Sequence, residues 1–184
     1  MLNKSFTPFP NLTTERLVLR QLEINDEQEI LTLRSDSEIN KYLDRPISKT
    51  IDDARNFITK VNENISKNNS LYWAITMRDG DTLIGTVCLF SFSDENDQCE
   101  IGYELLTNFQ GHGIMKEAVE KVIDYAFNTI KVRKIEAFSH RDNQDSLKLL
   151  KKLSFTESNE PDNREPYLLY YYLTNSIGNF KSII

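Results

Sequence analysis

Hydrophobic residues in this chain follow two different periods, and the switch between them marks the elements. Residues 71–106 carry short apolar runs of strand length, rich in Ile, Val, Leu and aromatic side chains. Residues 71–77 form the first predicted strand. Arg78-Asp79-Gly80-Asp81 follows as a turn, because Asp-Gly between apolar runs is a strong hairpin signal. Residues 82–92 and 98–106 are two further strands, separated by the polar turn 93–97, and the three read as an antiparallel meander. Gly85 and Gly102 lie inside strands, where glycine marks a bulge or a close backbone approach.

On either side of the meander the period is mostly helical. Residues 16–22 have β-type content and predict a first strand. Asn25 or Asp26 then caps a helix carrying Ile30, Leu31 and Leu33. A short helical turn over 37–43 is ended by Pro46. Residues 50–67 predict a helix: Thr50 suits the N-cap, Asp52 and Asp53 suit the first turn, and Ala54, Phe57, Ile58, Val61 and Ile65 share a face. After the meander, Met115, Ala118, Val119, Val122, Ile123, Ala126 and Phe127 repeat at helical spacing. A strand over 134–139, a helix over 143–153, a strand starting at Phe155 and an aromatic-rich strand over 167–173 complete the order. Strand–helix alternation requires crossovers and therefore some parallel pairing.

Composition narrows the class without naming a function. A chain of 184 residues with 39% hydrophobic and 27% charged residues fits one soluble domain. The first 13 residues read as an irregular arm, 14–174 as the domain and 175–184 as a tail. No apolar run approaches the roughly 20 residues that span a membrane. The N-terminal residues lack the basic and apolar pattern of an export signal, so a cytoplasmic location is expected. Cys88 and Cys99 are then expected as reduced core thiols. With no Cys pair at ligand spacing, and with His112 and His140 apart from other ligands, no metal site is expected. A net charge of −6 argues against non-specific nucleic-acid binding. It suits a cationic substrate, and equally it suits plain solubility.

The chemistry concentrates at Gln110-Gly111-His112-Gly113-Ile114-Met115, between a predicted strand and a predicted helix. Glycines at such a turn let backbone approach a ligand closely. A helix N-terminus offers unpaired N–H groups to an anion. A helix start that merely needs glycine for its turn explains the same residues. A Walker-type nucleotide site fails, because no Gly-Lys-Ser/Thr is present. A dinucleotide fold fits poorly, because the preceding strands form hairpins.

The same stretch resembles motif A of the GNAT acetyltransferase superfamily, Gln/Arg-x-x-Gly-x-Gly/Ala, with Met115 in place of the final small residue. Thr14-Glu15-Arg16-Leu17-Val18-Leu19-Arg20, Glu100-Ile101-Gly102-Tyr103, Asp142-Asn143-Gln144-Asp145-Ser146 and Leu149-Leu150-Lys151-Lys152-Leu153-Ser154-Phe155 resemble its ribosomal-protein serine/alanine acetyltransferase branch, in order from about residue 14 to 173. Ser154 stands where the family usually has glycine. The resemblance implies an α/β (α+β) fold: a mixed, mostly antiparallel sheet with one splayed parallel strand pair, flanked by helices. It implies acetyl-CoA as donor and a primary amine as acceptor, either a small molecule or a peptide N-terminus such as that of a ribosomal protein. It also implies a homodimer, and neither nucleic acid nor membrane as partner.

Under that resemblance Leu105 and Leu106 pair with pantetheine, and Gln110, Gly111, His112, Gly113, Ile114 and Met115 shape the pyrophosphate cradle. Asn143 meets the cofactor arm, a role compatible with a plain N-cap. Lys148, Lys151 and Lys152 are lesser candidates for a further phosphate. Glu100 and Glu104 share a face by the two-residue strand period, and either is a candidate base for the amine proton; His140 is a lesser one. Much of the superfamily uses a tyrosine to protonate the leaving thiolate. That position is Leu150 here, so Ser146 is the candidate acid. Tyr42, Trp73, Tyr167 and Tyr170 are candidates for lining the acceptor site. Leu150 and Met115 also motivate an alternative, a non-catalytic acyl-CoA-binding or sensing module.

Overall fold

Strand and helix faces segregate onto the two sides of a single sheet in the computed structural model, which describes residues 1–159 and 165–175. The eight strands are β1 (Leu12–Thr13), β2 (Leu17–Gln21), β3 (Leu71–Met77), β4 (Leu83–Ser93), β5 (Gln98–Leu105), β6 (Lys134–His140), β7 (Thr156–Glu157) and β8 (Leu168–Thr174). They lie in the order β1-β2-β3-β4-β5-β6-β8-β7. Every neighbouring pair is antiparallel except β5 and β6. The five helices are α1 (Glu27–Ser35), α2 (Ser37–Asn40), α3 (Ile51–Ser66), α4 (Ile114–Tyr125) and α5 (Gln144–Lys152). The expected mixed sheet with one parallel pair is therefore present.

The meander from β3 to β5 forms because alternate side chains meet helices on opposite faces. Trp73 is fully buried against Phe9 and against Tyr125, the last residue of α4. Tyr72 points the other way and meets Phe57 of α3 edge-on. One face thus lies under α4 and α5, and the other under α1 and α3. Cys88 and Cys99 are free thiols on opposite faces of the sheet, with Gly102 opposite Cys88 and Ile135 beside Cys99. Burial pushes both thiols up to about 12, so neither is a nucleophile at neutral pH.

Helix starts follow the sequence with one difference. Thr50 caps α3 through a reciprocal box with Asp53. Asp26 occupies the N-cap position of α1 but does not cap it with its side chain. Its carboxylate is instead taken by both terminal nitrogens of Arg20 and by the amide of Glu23. A charged, bidentate partner outcompetes a neutral amide for the same oxygens. The helix predicted over 115–129 becomes α4 followed by a π turn, Ala126–Ile130. No helix among the described residues is long and apolar enough to cross a membrane. Of the expected tail, 176–184 lies outside the described residues.

Candidate active site

Pairing between β5 and β6 covers only Gln98↔Lys134, Cys99↔Ile135 and Glu100↔Glu136, while β5 runs on to Leu105 and β6 to His140. The strands therefore part into a V whose base is Glu100 and Glu136. β4 fixes which backbone groups face the opening. The amide of Leu106 donates to Ile84 O, so even-numbered positions of β5 bond toward β4. By the alternation of an antiparallel ladder, Ile101, Tyr103 and Leu105 turn their amides and carbonyls toward β6. Such a strand edge is a template for an extended amide-bearing ligand. Gly85 permits this geometry. A Cβ there would lie 2.6 Å from Glu104 O and 2.7 Å from Leu105 Cδ1, so only glycine lets β4 and β5 approach at the mouth.

The glycine turn sits directly beyond the open edge of β5. A 3-10 turn, Thr107–Phe109, leads to Gln110, whose Nε2 donates to Leu105 O at 3.0 Å and ties turn to strand. Gly111 and Gly113 have φ of +80° and +75°, a backbone that side-chain-bearing residues rarely adopt. Gly113 is the N-cap of α4, and the first intrahelical bond runs from Glu117 N to Gly113 O. The amides of Ile114, Met115 and Lys116 precede that bond and stand at the positive end of the helix dipole. The Ile114 side chain is buried and anchors the helix to the core.

Residues outside the predicted set lock this cradle. Arg16 donates from Nη1 to His112 O at 3.1 Å and from Nε to Glu117 Oε2 at 2.6 Å. Thr14 Oγ1 and the Arg16 amide both donate to Glu117 Oε1. Burial alone would raise the Glu117 carboxyl, but these hydrogen bonds hold it below its ordinary value. The signal was present in Thr14-Glu15-Arg16-Leu17, whose side-chain partners no local pattern reveals.

On the face under α1 and α3, Glu104 is enclosed. Its side chain is 7% exposed, and Arg45 Nη2 donates to Oε2 at 2.6 Å. Tyr72 OH and Thr86 Oγ1 lie 3.2 and 3.3 Å from Oε1. Burial, then the Glu104 charge, raises the Tyr72 phenol well above its ordinary value. Glu100 is on the same face, two pleats back at the base of the V, beside Glu136. Glu136 itself is held by Lys134 Nζ at 2.8 Å and Tyr170 OH at 2.6 Å.

The opposite face carries a second pair of hydroxyls, those of Tyr103 and Ser146. Asn143 caps α5 by accepting from Ser146 N, and Ser146 Oγ lies 3.0 Å from Tyr103 OH. Burial pushes the Tyr103 phenol up to about 12, although the Ser146 contact works against this. Ser139, on the part of β6 that has left β5 but still pairs with β8, has its Oγ buried without a hydrogen-bond partner among the described residues. Leu150 is fully buried in the core. Trp73, expected as a possible lining residue, is instead core: it is fully buried under α4, with Nε1 donating to Pro10 O. Tyr42 and Tyr167 both pack against the ring of His140, the last residue of β6, with centroids 5.2 and 5.1 Å away. Tyr170 stacks on Phe138. Lys151 lies 3.8 Å from Glu157, on the outer face of α5.

A parted parallel strand pair followed by a glycine-capped helix is the arrangement that decides the family. Residues 16–156 match the acetyltransferase (GNAT) domain. The chain belongs to the GNAT acetyltransferase family. It is 38% identical over 145 residues to the uncharacterized N-acetyltransferase p20 of Bacillus licheniformis, covering 78% of this chain and 81% of that one. It is 31% identical over 147 residues to the uncharacterized N-acetyltransferase YoaA of Bacillus subtilis, covering 80% and 83%. Among solved structures it resembles the microcin C7 self immunity acetyltransferase MccE, solved with acetyl-CoA and AMP. That match has a TM-score of 0.76 at 23% identity and covers 88% of this chain and 94% of that one. It also resembles a ribosomal-protein-S5-alanine acetyltransferase from Vibrio fischeri, with a TM-score of 0.75 at 20% identity, covering 91% and 97%. The two solved structures share the overall fold, and family membership makes this chain an acetyltransferase.

Proposed function

We propose that the chain moves an acetyl group from acetyl-CoA to a primary amine by direct attack. The observation that carries this reading is the continuity of the open β5 edge with the glycine cradle. A backbone edge suited to pantetheine amides leads, through Gln110, into amides suited to a pyrophosphate. The buried, unpartnered Ser139 Oγ on the facing strand fits a ligand that brings its own hydrogen-bonding groups. Leu105 serves through backbone facing the opening. The cradle is formed by Gly111, His112, Gly113, Ile114 and Met115, with Gln110 fixing its approach. Asn143 holds the start of α5 against the cofactor arm.

Acetyl-CoA supplies a thioester carbonyl and a thiolate leaving group. The amine adds to that carbonyl, the new C–N bond forms and the C–S bond breaks. Glu104, or Glu100 behind it, takes the amine proton. A carboxylate offers about four acceptor sites, so the three groups around Glu104 leave room for an incoming amine. Ser146, joined to Tyr103, returns a proton to the thiolate. The amine enters from the face under α1 and α3, opposite those hydroxyls, so base and acid act from the two sides of the sheet. The acceptor is a small amine or a peptide N-terminus, the class that includes ribosomal proteins.

Calorimetry with acetyl-CoA tests the donor site. Gly113→Asp places a carboxylate at the cradle and a side chain at φ +75°. Affinity is expected to fall at least about tenfold, or roughly 1.4 kcal/mol. Unchanged affinity would remove the glycine turn from the cofactor site.

A further inference from the structure

Beside the ion pair of Arg45 and Glu104, the acceptor side holds a second guanidinium, that of Arg34. Arg45 is pinned by Asn40 Oδ1, Leu33 O and Glu104. Arg34, on α1, lies in the electrostatic field of both Arg45 and Glu104. Its guanidinium carbon sits 4.0 Å over the Phe57 ring, and Phe57 in turn meets Tyr72 edge-on. That stack fixes the plane of the group without supplying a hydrogen-bond acceptor. Arg34 Nε is buried and finds no partner among the described residues. Burial and the neighbouring Arg45 charge depress its pKa. Arg45 is thus paired with Glu104, while Arg34 feels both charges and has no ion-pair partner among the described residues.

Cation–π packing alone does not account for this. It favours a guanidinium over the ring but does not require burying an N–H with nothing to receive it. An oxyanion would supply the acceptor that this guanidinium lacks. A planar guanidinium matches a carboxylate or phosphate bidentately. The cluster contacts Glu104, which stands where β5 has parted from β6. An anion held there belongs to a molecule whose amine reaches the same opening.

We infer that the acceptor is an amine bearing an oxyanion, bound by Arg34 with Arg45, and that this pair sets acceptor specificity. The inference rests on the acetyl-transfer reading above. The matching acceptors are amino-acid-like carboxylates or phosphate-bearing amines.

The test is steady-state CoA release by the full chain with matched acceptors, compared per neutral amine. The pairs are glycine against glycinamide, phenylalanine against phenylalaninamide, and O-phosphoethanolamine against ethanolamine. The anionic member is expected to have a kcat/KM at least about tenfold higher, through KM. The amino-acid and phosphate pairs distinguish which oxyanion is preferred. In Arg34→Gln the anionic-to-neutral ratio is expected to collapse toward one, and in Arg34→Lys to recover in part. Equal use of both members by the wild-type chain overturns the inference, as does a ratio unmoved in Arg34→Gln. Should that variant fail to fold, the wild-type ratio and Arg34→Lys decide. If no amine accelerates CoA release, the acetyl-transfer reading fails instead. Calorimetry of the CoA-saturated protein with N-acetylglycine and N-acetylglycinamide then judges the anion site alone: preference for the acid supports it, and equal binding overturns it.

Discussion

Replacing Glu104 by Gln removes one charge and almost no volume, so it isolates the electrostatics of the acceptor floor. Glu104 is 7% exposed and Arg45 20%, at 2.6 Å. Removing one partner of a buried ion pair costs about 3–5 kcal/mol. Arg45 keeps some contact with water, and the Gln carbonyl still accepts a hydrogen bond, so the lower part of that range applies. Arg34 adds to the cost, because it loses the favourable Glu104 charge while keeping the repulsion from Arg45. The expected loss is about 3–4 kcal/mol, a large fraction of a domain's typical 5–15 kcal/mol. Urea denaturation followed by Trp73 fluorescence measures it well, since Trp73 is the only tryptophan and is fully buried. A double-mutant cycle with Arg45→Met should show a coupling of at least about 1 kcal/mol. A Glu104→Gln loss below about 0.5 kcal/mol with no coupling would refute the reasoning.

Three further outcomes follow from the geometry. Gly85→Ala forces β4 and β5 apart at Glu104 and Leu105, and is expected to destabilise by about 1–3 kcal/mol in the same urea assay. Ser146→Ala is expected to lower kcat by about tenfold or more, with Tyr103→Phe adding less than its separate effect because the two hydroxyls act together; full additivity would separate them. At alkaline pH, Tyr103 and Tyr72 hold their protons longer in the folded chain than in the unfolded one, where a phenol titrates near about 10. The native state then binds more protons, so the stability they contribute is complete below about pH 10 and is lost as pH rises through the folded values. Tyrosinate absorbance should therefore rise together with the loss of Trp73 fluorescence; ionisation of all eight tyrosines near pH 10 in the folded state would contradict this.

Much of the fold was legible because it rests on local periods. The strand at 71–77, the Thr50 cap and the apolar stripe of α3 follow from alternation, hydroxyl chemistry and helical spacing. The glycine turn was legible from local sequence too: two glycines one residue apart mark a turn, and both take the positive φ that glycine adopts without strain. What could not be read was pairing at a distance. Asp26 looks like a cap until Arg20 claims it. Trp73 looks like a possible site residue until α4 covers it. Arg45, Tyr72 and Thr86 carry no motif, and converge on Glu104 only because the loop after α2 folds over β3 to β5. Alternation put Glu100 and Glu104 on one face, but it could not show that Glu104 is enclosed by Arg45 or that Ser146 meets Tyr103 from the other side.

The central claim is that the parted strands and the glycine cradle serve acetyl transfer to an amine. Steady-state release of CoA from acetyl-CoA, measured across a panel of primary amines, tests it most directly. Release is expected to depend on the amine, to saturate with it, and to yield one acetylated amine per CoA. Acetyl transfer to an amine is contradicted if acetyl-CoA binds and no amine raises CoA release above the rate of hydrolysis in its absence.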